Sequence, residues 1–227
     1  MKKMALLLMF ALLLAGCKEE PKKEPDPDLL VTAKPAIYIY PEEVCDEKPV
    51  LYLSPEAETH VSVKLDYDGE LTTTYPAYND GWEVLARPDG TLTDPETGRE
   101  YYCLYWEGVT DTVYDLSEGF VVAGEDSAAF LEEALATLGL SAREANEFII
   151  YWLPRLEANP YNLITFQSEA YTDSARLTID PAPDTLIRVF MAWKGLDAPM
   201  DIPPQTLEPV VREGFTVVEW GGTEVIS

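Results

Sequence analysis

Apolar and polar residues alternate between residues 34 and 123, as they do in strands that bury one face. Within the run 61–67 every odd-numbered residue is apolar or aromatic, and every even-numbered residue is polar. The run ends at Asp68-Gly69, which is a strong signal for a two-residue hairpin turn. The pattern therefore predicts a strand over 61–67, a hairpin turn, and a return strand that begins at Glu70.

Further runs in this part of the chain also predict strands. The run 82–86 alternates and precedes the turn residues Pro88-Asp89-Gly90, and the run 100–108 is rich in aromatic residues. Two similar phrases, KPAIYIYPEE from Lys34 and KPVLYLSPEA from Lys48, indicate a tandem pair of short strands bounded by prolines. We therefore expect residues 34–123 to form an antiparallel meander or sandwich.

The hydrophobic period changes after residue 123. Apolar residues recur at helical spacing over 125–138, before Gly139, and again after a capping-box sequence that starts at Ser141. Pro154 lies inside the second apolar stripe, so we expect it to kink or end that helix near Leu153. The pattern predicts two helices in succession.

Strand-like runs then return over 162–166, 175–179, 185–193 and 215–220. The run 185–193 is apolar on both faces apart from Arg188, as expected of a central strand covered on both sides. The predicted fold class is α+β, with an antiparallel β-rich part over 34–123 and a part over 124–227 in which two helices pack on a mostly antiparallel sheet. The pattern leaves open whether these parts form one domain or two.

The N-terminus has the pattern of a signal peptide. Two lysines precede the apolar run 4–14, which is shorter than the roughly 20 residues of a membrane-spanning helix. The run closes with Leu14-Ala15-Gly16-Cys17, which resembles the lipobox of bacterial lipoproteins. This resemblance implies that residues 1–16 are removed and that Cys17 carries a lipid. The alternative is an ordinary secreted protein in which Cys17 is incidental.

Charge dominates the composition. Residues 18–28 contain only charged residues and proline, so we expect 17–33 to be a lipidated cysteine followed by a disordered acidic linker. The chain has 41 Asp and Glu against 16 Lys and Arg, a formal net charge of −25. Such a polyanion is repelled by nucleic acid and by anionic lipid headgroups, which excludes those partners. Neutral sugars, cations and proteins remain, although solubility outside the cell also explains the charge.

Cysteine and histidine are sparse. With Cys17 assigned to the lipid, Cys45 and Cys103 can form one disulfide outside the cytoplasm. Sequence leaves this pairing open, because it does not give the distance between the two Cα atoms, which must lie within about 7 Å. His60 is the one histidine and the chain has no CxxC motif, which argues against structural zinc and against a Ser-His-Asp triad unless His60 is its base.

The mature chain contains five distinctive sequence segments: KPAIYIYPEE, VKLDYDGELTTTYPAYNDGWEVLARPDG, NEFIIYWLP, LIRVFMAW and GFTVVEWGG. Together they resemble a family of bacterial lipoproteins of uncharacterised function. The resemblance extends over nearly all of the mature chain and implies a single coherent module. It implies no activity and no site residue.

Two charged residues, Arg188 and Glu219, interrupt strongly apolar strands. Burial of an unpaired charge is costly, so we expect these side chains to form a structural ion pair. The alternative is a cleft in which Glu219 acts on a ligand beside Arg188. In that hypothesis Glu147 and Glu219 converge as the two carboxylates that hydrolyse a glycosidic bond.

Asp66, Asp68 and Glu70 resemble a fragment of a calcium-binding loop, because Ca²⁺ prefers oxygen ligands. The later ligand positions of such a loop are missing, and an Asp before Gly is also what a tight turn requires. We therefore favour turn chemistry and expect no cofactor, with calcium as the alternative.

Tyrosine and tryptophan are dense in the β-rich part. Exposed Tyr and Trp rings stack on sugars or peptides, although alternation along strands is expected to bury about half of them. The candidates for a ligand-binding face are Tyr78, Trp82, Tyr105 and Trp106.

The sequence thus predicts a lipid-anchored protein at the extracytoplasmic face of the cell membrane. It favours a non-catalytic binding module, with a carbohydrate or protein partner on the Tyr/Trp-rich face, over an enzyme. A cell-envelope hydrolase that uses carboxylate chemistry around Glu219 is the alternative.

Overall fold

The computed structural model describes residues 45–225. The predicted signal peptide, Cys17, the linker and the first of the two proline-bounded strands lie outside the described residues. Within 45–225 no helix is both long enough and apolar enough to cross a membrane.

The described residues form thirteen strands, three helices and a short 3₁₀ turn (Gly124–Asp126). The strands are β1 (Cys45–Glu47), β2 (Val50–Ser54), β3 (Thr59–Tyr67), β4 (Glu70–Tyr75), β5 (Trp82–Ala86), β6 (Leu92–Thr93), β7 (Glu100–Tyr101), β8 (Leu104–Thr110), β9 (Phe120–Ala123), β10 (Tyr161–Gln167), β11 (Ala175–Asp180), β12 (Thr185–Leu196) and β13 (Thr216–Glu224). The helices are α1 (Ser127–Thr137), α2 (Ala142–Leu156) and α3 (Glu169–Ser174).

These strands form two sheets. An eight-stranded sheet has the order β1-β8-β2-β13-β12-β10-β9, with β4 also paired to β8, and a five-stranded sheet has the order β11-β3-β5-β6-β7. Every strand pair is antiparallel except β12 with β13, which is parallel. The predicted α+β class with mostly antiparallel pairing is confirmed. Both sheets mix the two parts of the chain, because β2 pairs with β13 and β3 pairs with β11.

The eight-stranded sheet lies between helices α1 and α2 on one face and the five-stranded sheet on the other, with a hydrophobic core on each face. Alternation assigns neighbouring residues to opposite cores: Tyr52 packs with the helices, whereas Leu51 and Leu53 pack with the five-stranded sheet. Strand β12 is covered on both faces, since Val189 belongs to the helix-side core and Phe190 to the core between the sheets. The prediction of a central strand here is confirmed.

Both predicted helices are present. Helix α1 is followed by Gly139 at φ +88°, and α2 begins with the predicted capping box, in which Ser141 and Glu144 satisfy each other's backbone N–H groups. Of the two expected effects of Pro154, a kink or an end near Leu153, the end does not occur, because helix α2 continues through Pro154 to Leu156. Proline removes one hydrogen bond to the carbonyl four residues earlier, and α2 is held in place by the buried residues of its apolar face.

Two strand connections differ from the prediction. The turn at Asp68-Gly69 does not close a hairpin, because β3 pairs with β5 and β11 while β4 pairs with β8 in the other sheet. A Cβ at Gly69 would collide with the Val109 carbonyl oxygen, so glycine permits this close crossing between the sheets. The aromatic run 100–108 likewise divides into β7 and β8, one in each sheet. The hairpin between β5 and β6 is confirmed.

Candidate functional site

The predicted ion pair between Arg188 and Glu219 is present. The two residues are neighbours in the parallel register of β12 and β13, and their side chains point into the core between the two sheets. Arg188 Nε lies 2.6 Å from Glu219 Oε2, and the two side chains are 8% and 0% exposed.

Aromatic residues enclose this pair. Trp106 Nε1 donates to Glu219 Oε1 at 3.3 Å, and the Arg188 guanidinium lies 4.7 Å from the centre of the Tyr171 ring. Burial alone would lower the pKa of Arg188, but Glu219 and Tyr171 together outweigh it, so the pKa of Arg188 is raised. Because the Glu219 side chain is fully buried in this arrangement, the structure gives no support to the alternative in which Glu219 acts on a ligand beside Arg188.

Glu147 lies on the opposite side of the eight-stranded sheet. Its carboxylate accepts hydrogen bonds from the Tyr52 hydroxyl and, at 3.3 Å, from Arg143 Nε. Tyr52 and Trp220 belong to the helix-side core. Glu219 precedes Trp220 on β13, so its side chain faces the core between the sheets. The expectation that Glu147 and Glu219 converge is therefore wrong, because the sheet separates them.

A groove of about 860 Å³ opens beside α2 on this helix side. Its lining combines residues of α2 with residues of β2, β4, β7, β8 and β13 and of the turn before β8. We call it the tyrosine groove after its aromatic lining residues, which are Tyr75, Tyr101, Tyr102, Tyr105, Tyr151 and Trp220.

The mouth of the tyrosine groove presents exposed apolar surface. Tyr75 is 50% exposed, Tyr102 57% and Ile150 74%. The rings of Tyr75 and Tyr101 meet edge to face with their centres 5.4 Å apart, which fixes both rings. Exposed large apolar side chains around a concave site are typical of a binding surface.

Two buried groups at the groove have raised pKa values: Cys103, which lines it, and Tyr52, which donates to the lining residue Glu147. Burial, followed by the hydrogen bond to Glu147, raises the pKa of the Tyr52 phenol. Burial raises the pKa of the Cys103 thiol to about 11, so this thiol is neutral at physiological pH. A neutral thiol is a poor nucleophile, so Cys103 is not activated for covalent catalysis at physiological pH.

Of the four predicted ligand-binding residues, only Tyr105 lines the groove. Trp106 is fully buried, and Trp82 is buried with its Nε1 donating to the Pro76 carbonyl at 2.9 Å. The Tyr78 hydroxyl bonds both backbone groups of Leu65. Trp82 and Trp106 belong to the core between the sheets, which corrects the prediction that they form an exposed face.

The acidic residues of the β3–β4 turn do not cluster. Asp66 forms an ion pair with Arg176 at 3.0 Å, and the Asp68 backbone carbonyl accepts from the Thr110 hydroxyl at 2.8 Å. Among residues 45–225 no group of His, Cys, Asp and Glu side chains is arranged to hold a metal ion. The calcium alternative for Asp66, Asp68 and Glu70 thus has no support in this geometry.

Cys103 is a buried, free thiol in the structure. The register of β1 on β8 sets Cys45 opposite Thr110, which at strand spacing is roughly 20 Å from Cys103 along the chain. The strand register therefore places the two backbones much farther apart than the about 7 Å that a disulfide allows.

The chain matches no family model and no solved structure. Among curated proteins, one named "Uncharacterized protein in bglA 3'region", from Butyrivibrio fibrisolvens, is 44% identical over 66 residues. The matched stretch covers 28% of this chain and 67% of that protein. This chain therefore belongs to the same family as the B. fibrisolvens protein.

Proposed function

We propose that this protein is a lipid-anchored extracytoplasmic binding protein, and that the tyrosine groove is its binding site for a carbohydrate or protein partner. The observation that carries the proposal is the concentration of exposed rings around a concave site of about 860 Å³. This volume lies within the range of roughly 300–1,000 Å³ that ligand sites occupy.

The chemistry of the groove favours binding over catalysis. The Cys103 thiol has a pKa raised to about 11 by burial, which removes it as a nucleophile at neutral pH. The Glu147 carboxylate is held by hydrogen bonds from Tyr52 and Arg143, which suits a fixed acceptor. The tyrosine rings supply stacking surfaces at little cost in conformational entropy.

Lipid anchoring rests on the lipobox-like Leu14-Ala15-Gly16-Cys17 and the charged linker after it. Replacing Cys17 by serine is expected to move the protein from the detergent phase to the aqueous phase in a phase-partition experiment. A Cys103→Ser variant is the control, and it should remain in the detergent phase. Partition of Cys17→Ser into detergent with unchanged cellular placement would contradict the anchoring proposal.

The groove proposal is tested by retention of labelled full-length protein on washed cells and on isolated cell-surface polysaccharide and protein fractions. We expect a Tyr102→Ala/Ile150→Ala variant to be retained less than the unmodified protein on at least one fraction. The matched control is Val113→Ala, because Val113 is 82% exposed and does not line the groove. Equal retention of the groove variant and the control on every fraction would rule out the groove as the binding site.

A further inference from the structure

The charged side chains that line the tyrosine groove already have partners within the protein. Glu100 Oε1 lies 2.9 Å from Arg87 Nη1, and Glu147 Oε1 lies 3.3 Å from Arg143 Nε. Arg155 lies over the Tyr151 ring at 4.4 Å and donates to the Tyr151 carbonyl. A ligand therefore needs no charge of its own to balance the lining.

Guanidinium groups lie over three of the rings at the groove, those of Tyr75, Tyr101 and Tyr151. Arg99 lies 5.8 Å from the centre of the Tyr75 ring and 5.7 Å from that of Tyr101, and Arg155 covers Tyr151. A cationic ligand would have to displace these groups or bind beside them against their charge. An anionic ligand would meet Glu100 and Glu147 on a chain of net charge −25. An anionic ligand is thus disfavoured, and a cationic ligand would compete with the arginines that already contact these rings and carboxylates.

The groove keeps hydrogen-bonding capacity after these internal contacts. Each oxygen of the Glu147 carboxylate accepts one bond, from Tyr52 or from Arg143, and each has a second lone pair. The exposed Tyr102 ring adds an apolar face and a phenolic hydroxyl. These groups complement a neutral molecule that has flat C–H faces and many hydroxyl groups.

The large exposed aromatic side chains of the described residues lie at the groove, whereas most of the exposed non-aromatic ones lie elsewhere. Tyr75, Tyr102 and Ile150 line it, whereas the other large exposed apolar residues of the described chain, Val113, Leu186, Met200, Val210 and Val211, lie outside its lining. A stable protein interface buries about 800 Å² on each partner. A concave site with a few exposed rings is better matched to a narrow ligand.

We infer that the tyrosine groove binds a neutral oligosaccharide, with a sugar ring stacked on Tyr102 and hydroxyl groups donating to Glu147. This inference rests on the proposed function, because it names the ligand class of the same groove. Pyranose rings with equatorial substituents present flat C–H faces that can stack on tyrosine, so a β-1,4-linked glucan chain is a suitable first probe.

The test is isothermal titration of the full-length protein in detergent with cellohexaose, and with maltohexaose and xylohexaose as further neutral probes. We expect binding of at least one of them, with a Kd that changes less than about twofold between about 50 and 500 mM NaCl, because no charge is exchanged. Tyr102→Ala should weaken binding about tenfold, since one aromatic stacking contact is lost. Tyr102→Phe keeps the ring and should bind nearly as well as the unmodified protein, and Val113→Ala should be unchanged.

Failure of the neutral-oligosaccharide inference can be distinguished from failure of the groove as a binding site. Absence of binding to all three neutral hexasaccharides would overturn the inference. Binding of hexalysine or hexagalacturonate that is lost in Tyr102→Ala would also overturn it, while the groove would remain a binding site as proposed. Binding of a neutral hexasaccharide that is equal in Tyr102→Ala and Val113→Ala would place the sugar elsewhere and overturn the assignment to this groove.

Discussion

The Arg188–Glu219 pair costs desolvation energy that its own attraction must offset. Each member lies in the core between the sheets, and Trp106 supplies an additional hydrogen bond to Glu219. Removal of one partner leaves an uncompensated buried charge, which is much more costly than removal of both. The pair is thus a structural element whose two halves depend on each other.

Glu219→Gln is expected to lower the free energy of unfolding by about 3–5 kcal/mol, because the Arg188 charge stays buried without its counter-charge. A double variant, Arg188→Met with Glu219→Leu, should recover most of this loss. Urea denaturation followed by tryptophan fluorescence measures both. Glu107→Gln is a matched control at the partly exposed Lys48–Glu107 pair, where we expect at most about 1 kcal/mol. A loss of the same small size for Glu219→Gln would contradict the buried-pair argument.

Cys103 is expected to make stability fall at alkaline pH. Burial raises the pKa of this thiol from 9.0 to about 11 in the folded protein. Its contribution to the free energy of unfolding is fully present below pH 9, where the thiol is neutral in the folded and the unfolded protein. The contribution is lost as the pH rises towards 11, because the thiol of the unfolded chain loses its proton more easily than the buried thiol. The loss is at most about 3 kcal/mol.

Urea denaturation of the unmodified protein and of Cys103→Ala between pH 8 and pH 11 measures this effect. Burial also raises the pKa of Tyr52 in the folded protein, which adds a pH dependence common to both proteins, so the difference between the two isolates Cys103. The stability advantage of the unmodified protein should shrink across the window. Parallel curves would show that Cys103 does not carry the dependence.

At the scale of elements, alternation predicts which face of a strand is buried but not which strand pairs with it. The run 61–67 forms β3 as predicted, yet the turn at Asp68-Gly69 sends the chain to the other sheet. A local turn signal is the same in a hairpin and in a crossing between sheets. Whether the chain forms a hairpin or crosses to the other sheet depends on pairing strands that are distant in sequence, here β11 and β8.

The two-residue period of side chains along a strand also explains why the predicted aromatic binding face is wrong. Tyr105 and Trp106 are adjacent on β8, so one must face the helices and the other the core between the sheets. Tyr105 lines the tyrosine groove and Trp106 is buried on the opposite face. Both residues cannot belong to one binding face, and the sequence alone does not tell which is buried.

Glu144 joins the start of α2 to the segment before β13. It completes the capping box with Ser141 and forms an ion pair with Arg212, whose Nε also donates to the Gly139 carbonyl at 2.7 Å. The capping box is visible in the sequence, but the partner at Arg212 is not, because 68 residues separate them.

Ser141→Ala is expected to lower the free energy of unfolding by about 1 kcal/mol through loss of the cap. Glu144→Ala should cost more, about 2–3 kcal/mol, because it removes the other half of the capping box and leaves Arg212 without its carboxylate. Urea denaturation gives both values, and a Glu144→Ala/Arg212→Ala double variant tests the coupling. The double variant should lose less than the sum of the two single variants, and strict additivity would show that the pair contributes no coupling.

At the scale of the whole molecule, the candidate site is harder to predict than the fold. Arg188 and Glu219 stand out in the sequence because each interrupts an apolar strand, and their pairing follows from the cost of burial. The tyrosine groove has no such local signal. Its lining comes from α2 and from strands of both sheets, so it exists only once these elements have packed.

The net charge of −25 is also a property of the whole molecule, and it predicts that salt stabilises the folded state. Like charges are closer together in the compact chain than in the unfolded chain, and ions screen their repulsion within about 10 Å at 0.1 M. We expect the Tm from calorimetry to rise as NaCl increases from about 20 to 300 mM, because the screening of the repulsion becomes stronger across this range. KCl at the same concentrations should give the same rise, because screening depends on ionic strength and not on the identity of the cation. A Tm that falls with added salt would show that surface ion pairs such as Arg176–Asp66 outweigh the repulsion, and a rise confined to one cation would indicate a specific ion site.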